Sequence, residues 1–147
     1  MVRIDKAGQA SKRFAGASGS PLAETDGRCP YWALHDAFAM PGRLVTQIVT
    51  LEDGSQWFTM ARTVTPQGAR AGQARTEFAI GLGLEAALAE PLAAARGTAL
   101  DSEATPVGLG CPACTRPQCP QRAAPPRGRA LVFNEKERGL TPFGFTP

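Results

Sequence analysis

Four cysteines, Cys29, Cys111, Cys114 and Cys119, are the only ones in the 147 residues, and the last three fall in a C-x2-C-x4-C spacing. Thiolates at these intervals can converge on one inorganic centre, and a set of four suits tetrahedral zinc or an iron-sulfur cluster, both of which favour sulfur ligands. Two disulfides are the other use of four cysteines, and the redox compartment decides between them. The start, Met1-Val2-Arg3-Ile4-Asp5-Lys6, is not followed by the apolar stretch of a secretory signal, and no run approaches the roughly 18 apolar residues of a membrane span. A reducing, cytoplasmic setting and a metal site are therefore expected. Spacing leaves the metal itself open. Cys111-Pro112-Ala113-Cys114 has the form of a zinc knuckle, but a zinc ribbon would bring a second close pair. The layout here is three plus one, as in cubane clusters, and Cys29, Cys111 and Cys119 are each followed by proline.

Either centre would clip the long segment between Cys29 and Cys111, removing about 4 kcal/mol of chain entropy from the unfolded state by analogy with a disulfide of that span. A four-thiolate centre is anionic, and Arg28, Arg116 and Arg122 are the neighbouring cations that would offset it.

The elements that must position these thiols are few. At 15.5 kDa and 43% hydrophobic residues, the chain has the size of one domain with one core. The formal net charge is +3, and 16 basic residues are interleaved with 13 acidic ones, so no dedicated nucleic-acid stripe emerges. With 16 Gly and 13 Pro, much of the length must lie in turns and loops.

Val2 to Asp5 reads as a short strand, followed by a Gly/Ser/Ala loop or arm reaching Ser20. Pro30, with Tyr31, Leu34 and Phe38 at i, i+3 and i+7, predicts a helix with Cys29 at its N-terminus, where the macrodipole favours a thiolate. Arg43 to Leu51 alternates, Glu52-Asp53-Gly54-Ser55 turns, and Gln56 to Val64 returns, which predicts a hairpin. A loop from Pro66 to Gly72 leads to a third strand over Thr76 to Ile80. Leu84, Leu88 and Leu92 then mark a helix that Pro91 should shorten. Ala130 to Phe133 is a last strand candidate, and the tail Leu140 to Phe145 should dock through its apolar anchors. The fold class read from this is α+β, an antiparallel sheet with flanking helices and a Cys-rich, Pro-rich C-terminal loop region. It forms one domain over 1–147: an N-terminal strand and arm to residue 20, a core over 21–110, and the cysteine loop and tail over 111–147.

Other motifs are weaker. Gly81-Leu82-Gly83-Leu84-Glu85-Ala86 matches G-x-G-x-x-A with Asp101 downstream, but Thr98-Ala99-Leu100 is too short for the second strand of a dinucleotide fold and Pro91 interrupts the crossover. No phosphate-binding G-x-x-x-x-G-K-[ST] loop and no nucleophile elbow occurs, and a single histidine makes triad chemistry hard to assemble, so no enzyme is expected. His35 reads as a hydrogen-bonded histidine at the core edge, and Trp32, Trp57 and Phe58 as core.

Taken as a set, certain blocks carry a resemblance. They are Ser11-Lys12-Arg13-Phe14; Cys29-Pro30-x-Trp32-x-x-His35-x-Ala37-Phe38-x-x-Pro41-Gly42-Arg43 with Gln47; Ala61-Arg62-Thr63-Val64; Phe78 to Gly83; and Ala104-Thr105-Pro106-x-Gly108-x-Gly110-Cys111 through Cys119-Pro120-Gln121-Arg122-Ala123. They resemble, nearly end to end, the C-terminal ligand domain of the short-chain fatty acyl-coenzyme A regulators, bacterial helix-turn-helix transcription factors. The resemblance implies a domain that binds coenzyme A or short-chain acyl-coenzyme A, forms homo-oligomers and carries a [4Fe-4S] cluster on Cys29, Cys111, Cys114 and Cys119. It thus tips the metal from zinc toward iron-sulfur. The phosphates of coenzyme A need cations, for which Lys12, Arg13, Arg43 and Arg62 are candidates, with Gln47 beside them. DNA contact is expected only through a helix-turn-helix outside these residues, and no membrane contact is expected. A zinc-stapled interaction domain and an iron-sulfur redox protein are the alternatives.

Overall fold

In the computed structural model, which describes residues 1–16, 20–66, 72, 76–100, 103–136, 138 and 143–146, the predicted hairpin is the centre of the molecule. Strands β3 (Val45–Thr50) and β4 (Gln56–Val64) pair antiparallel from Val45 opposite Ala61 to Thr50 opposite Gln56. Their alternating sequence lets each strand bury one face on either side of the sheet. Asp53 closes the turn, its carboxylate accepting the Ser55 N–H at 2.9 Å and the Ser55 hydroxyl at 2.7 Å. Strand β5 (Phe78–Glu85) pairs along β4, and β1 (Val2–Ile4) continues from β5 to β2 (Ala10–Arg13), all antiparallel.

The sixth strand corrects the expectation of a purely antiparallel sheet. β6 (Thr105–Pro106) runs parallel to β3, so the sheet is mixed, in the order β2-β1-β5-β4-β3-β6. A two-residue strand containing proline has no periodicity to read; tertiary context alone places it.

Helices are also scarcer than expected. Besides α1 (Pro21–Glu24), the segment after Cys29 holds only one helical turn, α2 (Asp36–Ala39), so Cys29 does not occupy a helix N-terminus. The Gln47 amide is the competitor: its oxygen accepts the Ala33 N–H at 2.9 Å and its nitrogen donates to the Tyr31 carbonyl at 2.8 Å. Backbone groups that a helix would use are thereby captured by β3. The predicted helix around Leu84–Leu92 is likewise replaced, because β5 extends to Glu85 and only 3-10 turns at Ala86–Leu88 and Ala93–Ala95 follow. The strand expected at Ala130–Phe133 reduces to an isolated bridge between Leu131 and Phe145. Asp101, most of the 66–72 loop, Ala17 to Gly19 and Leu140 to Pro142 lie outside the described residues.

The sheet has two unlike faces. One carries Val2, Ile4, Ala79, Gly81, Ala61, Trp57 and Val49 against Leu22, Cys29, Trp32, Leu34, Ala37 and Val107 from the loops and short helices layered over it. Gly81 and Gly83 belong to this packing: a Cβ at Gly81 would stand 2.5 Å from Leu34 Cδ2, and one at Gly83 2.9 Å from Leu22 Cδ1. Both glycines lie inside β5, which explains the G-x-G pair as close packing and not as a phosphate-binding turn. The other face is covered only in part, where Ile48 and Phe58 meet Ala89, Ala95 and Ala104. Trp32, Trp57 and Phe58 are buried, as expected of core aromatics.

Candidate metal centre

Three segments meet at one end of the loop-covered face. Thr25 binds the chain around Leu109, its hydroxyl donating to the Leu109 carbonyl at 3.2 Å, while the Asp26 N–H donates to the same carbonyl at 2.9 Å. The Val107 N–H reaches the Thr50 carbonyl at 3.0 Å, extending the β6 pairing. Trp32, fully buried, donates its indole N–H to the Gly108 carbonyl at 3.0 Å. These bonds lay the 105–110 segment across the loop that carries Cys29.

The cysteine loop is then tied to the hairpin. Glu52 accepts the Thr115 N–H at 2.8 Å and the Thr115 hydroxyl at 2.7 Å, and Arg116 Nη2 donates to the Thr50 carbonyl at 3.1 Å. Gly110 turns the chain, its carbonyl accepting the N–H groups of Ala113 and Cys114 at 2.9 and 3.0 Å.

The outcome is convergence. Cys29, Cys111, Cys114 and Cys119 line a single narrow cavity with Tyr31, Pro106, Gly108, Arg116 and Arg122, with a volume of about 20 Å³. Cys29 and Cys114 are buried, and Cys111 and Cys119 half-buried. All four are free thiols, so the disulfide alternative has no support in this geometry. Backbone amides aim at the sulfurs: Gly108 N–H at Cys29 Sγ and Ala123 N–H at Cys111 Sγ, both at 3.4 Å. Such N–H···S bonds are the usual environment of metal-bound thiolates and tune a cluster's potential.

Without a metal the site resists ionisation. Burial pushes the Cys29 thiol up, against the opposing amides of Gly108 and Tyr31, and the nearby Cys114 and Cys111 raise it further. Burial likewise raises Cys114, opposed by the Arg116 amide and the Arg122 charge while Glu52 adds to the rise. The donor set and the shared cavity fit a thiolate-held group. Among the described residues no group of three or more His, Cys, Asp or Glu side chains is placed to hold a metal ion as it stands.

Gly108 is the residue on which the site turns. A Cβ there would lie 2.8 Å from both Cβ and Sγ of Cys114, and the same residue binds Cys29 through its N–H and Trp32 through its carbonyl. Of the cations expected nearby, Arg116 and Arg122 line the cavity and Arg28 is exposed, outside the lining.

The expected ligand residues do not form one cluster. Lys12 lies opposite Arg3, Arg3 opposite Ile80, and Ile80 opposite Arg62, so Lys12 and Arg62 share the half-open face on one row of side chains. Arg3 is a member of that row that sequence reading passed over; it stacks on the Phe78 ring at 4.5 Å. Gln47 belongs to the opposite face, with both amide ends engaged by the Tyr31–Ala33 backbone. Arg13 and Arg43 are exposed. His35 is half-buried, and its Nε2 makes no hydrogen bond among the described residues, contrary to the expected satisfied histidine.

A model of the short-chain fatty acyl coenzyme A regulators, C-terminal part, matches residues 1–143. The chain belongs to that family. It is 42% identical to the HTH-type transcriptional regulator RamB of Mycobacterium tuberculosis, over 97% of this chain and 31% of that protein. It is 38% identical to the HTH-type transcriptional regulator PrpR of the same organism, over 99% of this chain and 30% of PrpR. To the propionyl-CoA carboxylase regulator of Cereibacter sphaeroides it is 37% identical, over 97% of this chain and 31% of the relative. A solved Mycobacterium tuberculosis transcriptional regulator superposes with a TM-score of 0.87 at 36% identity, over 96% of this chain and 43% of that one. The chain thus spans about a third of the length of these curated relatives. No helix among the described residues is long and apolar enough to cross a membrane.

Proposed function

We propose that this chain is the effector-responsive part of a cytoplasmic bacterial transcriptional regulator, holding a [4Fe-4S] cluster on Cys29, Cys111, Cys114 and Cys119 and responding to coenzyme A or short-chain acyl-coenzyme A. The single observation carrying the metal reading is the meeting of one thiol from an early loop and three from a late loop at one cavity, with amides aimed at the sulfurs. When bound, the cluster would supply redox sensitivity and a covalent clip between the two loops. The chain's own residues do the rest: Gly108 lets Cys114 approach, Trp32 and Thr25 fix the two loops, and Arg116 and Arg122 offset thiolate charge.

The acyl-coenzyme A reading is supported by the family and by the half-open sheet face. Lys12, Arg3 and Arg62 cross it on one row, beside Phe78, Ile80, Leu82, Met60 and Val64 on the same face, with Leu82 46% exposed. Cations for phosphate next to an apolar surface for pantetheine and acyl group is the chemistry such a ligand requires. In a homo-oligomer, ligand on this face would favour one subunit arrangement through its differential affinity for it, and DNA would be contacted by a helix-turn-helix outside these residues. Isothermal titration of the anaerobically reconstituted chain with propionyl-coenzyme A tests this. Saturable heat that weakens in Arg62→Ala and Lys12→Ala supports the reading, and absence of heat with the cluster loaded counts against it.

A further inference from the structure

Arg122 is 4% exposed, and among the described residues its guanidinium forms no salt bridge with a carboxylate. The salt bridge among the described residues joins Lys6 to Glu77, far along the chain. Arg122 instead donates Nη1 to the carbonyls of Cys111 at 3.1 Å and Ala124 at 3.3 Å, and Nη2 to those of Cys114 at 3.0 Å and Arg116 at 2.8 Å. Nη2 also faces Cys114 Sγ at 4.0 Å, and Nε is buried without a hydrogen-bond partner among the described residues. Four carbonyls orient a cation but do not neutralise it, and a buried cation without an opposite charge is strongly disfavoured. The cysteine cavity can seat such an anion, since Arg122 lines it and four thiolates keep net negative charge with either zinc or a cubane.

The other side of the same guanidinium holds the end of the chain. Its Cζ lies 4.9 Å from the centroid of the Phe145 ring. Around this stack the tail pairs back on residues 130–132, with Val132 N–H donating to the Gly144 carbonyl at 2.8 Å and Thr146 N–H to the Ala130 carbonyl at 3.1 Å. Among the described residues this pairing is an isolated bridge and not a ladder, and Val132 and Phe133 beside it stand in solvent.

We infer that Arg122 is the positioning residue of the thiolate centre and the clasp through which the centre's presence fixes the C-terminal tail. This rests on the proposed four-thiolate site, with no dependence on which metal fills it. With the anionic centre in place the guanidinium is held flat between the cysteine loop and Phe145. When the centre is lost, the uncompensated charge leaves its pocket for water and the tail is freed with it.

The test uses the full chain, metal-loaded and chelator-stripped, with two readouts: metal retention against a competing chelator, and the rate of tryptic cleavage at Arg129 and Lys136. In the wild type, stripping should speed tail cleavage. Arg122→Gln should lose metal affinity by roughly tenfold to a hundredfold, the range for partners behind metal ligands, and show fast tail cleavage even when loaded. Arg122→Lys keeps the charge without the planar fork, so metal retention should recover while tail protection does not. Phe145→Ala should free the tail and leave metal retention near wild type, which keeps the inference testable should the Arg122 variants fold poorly. Loading and tail protection unchanged in Arg122→Gln, or tail cleavage in the wild type indifferent to metal, overturns the inference. A wild-type chain that retains four alkylatable thiols after reconstitution instead overturns the metal reading beneath it.

Discussion

The sheet and the cysteine loop are held by different physics. Across β1 to β5 the strands pair in regular ladders, and the side chains pack a core on each face, with Val49, Val2 and Ile4 fully buried on one and Phe58 on the other. From Val107 to Arg127 there is no regular element; order comes from single contacts such as Glu52 to Thr115, Trp32 to Gly108 and Arg122 to four carbonyls. A ladder tolerates the loss of one rung. A loop held by single contacts does not, and the contrast implies that the proposed metal would matter most where secondary structure is absent.

The largest effect should come from the thiols. Cys29→Ser, which removes the one ligand from the early loop, should abolish stoichiometric metal binding and cost about 3–5 kcal/mol of stability in the loaded protein, by analogy with loss of a native cross-link. Denaturant unfolding of loaded and stripped protein checks it; equal midpoints for the two wild-type states would dissolve the contrast. Gly108→Ala comes next. The added methyl displaces Cys114 and should cost about 1–3 kcal/mol and weaken metal retention.

On the sheet side, Gly81→Ala presses on Leu34, which should lower stability by a similar 1–3 kcal/mol while metal content stays at the wild-type value. Metal loss in this variant would mean that the two regions are one cooperative unit. Gln47→Ala sharpens the boundary, because Gln47 sits in β3 but holds the loop after Cys29; loss of its two hydrogen bonds should cost about 1–3 kcal/mol and reduce metal affinity as well.

The pH responses are smaller and opposite in sign. Burial raises Cys29 and Cys114 above the ordinary thiol value of 9.0, so the stripped protein should keep its stability up to about that pH and lose it above, as unfolding frees the thiols to ionise. Ser55 lowers the Asp53 carboxyl below its ordinary 3.8, so the turn's contribution should be present above that pH and lost as pH falls further. Asp53 is fully exposed, and Asp53→Asn should show the smallest effect of the series.

Much of the sheet was legible because alternation over Val45–Val64 is a local property that survives into the fold. That the four cysteines would meet was legible too, since thiols are few and spaced to converge, and all four line one cavity. What was not legible depended on partners distant in sequence. The helical spacing after Cys29 yields to the Gln47 amide, and the G-x-G pair is explained only by Leu34 and Leu22 pressing on β5. The parallel β6 has no pattern of its own, being placed by Thr50 and by the loops that bring Cys111 to Cys29. Arg122 could be named as a neighbouring cation from sequence, but its burial against four carbonyls and its stack on Phe145 required coordinates.

The most direct measurement is iron and acid-labile sulfide per chain after anaerobic reconstitution, made on the wild type and on Cys29→Ser in parallel. The account predicts about four of each per wild-type chain, with visible charge-transfer absorbance, and a loss of that stoichiometry in the variant. Full loading of Cys29→Ser, or a wild-type chain that takes up neither iron nor zinc, would contradict the claim that the early thiol and the late trio grip one centre.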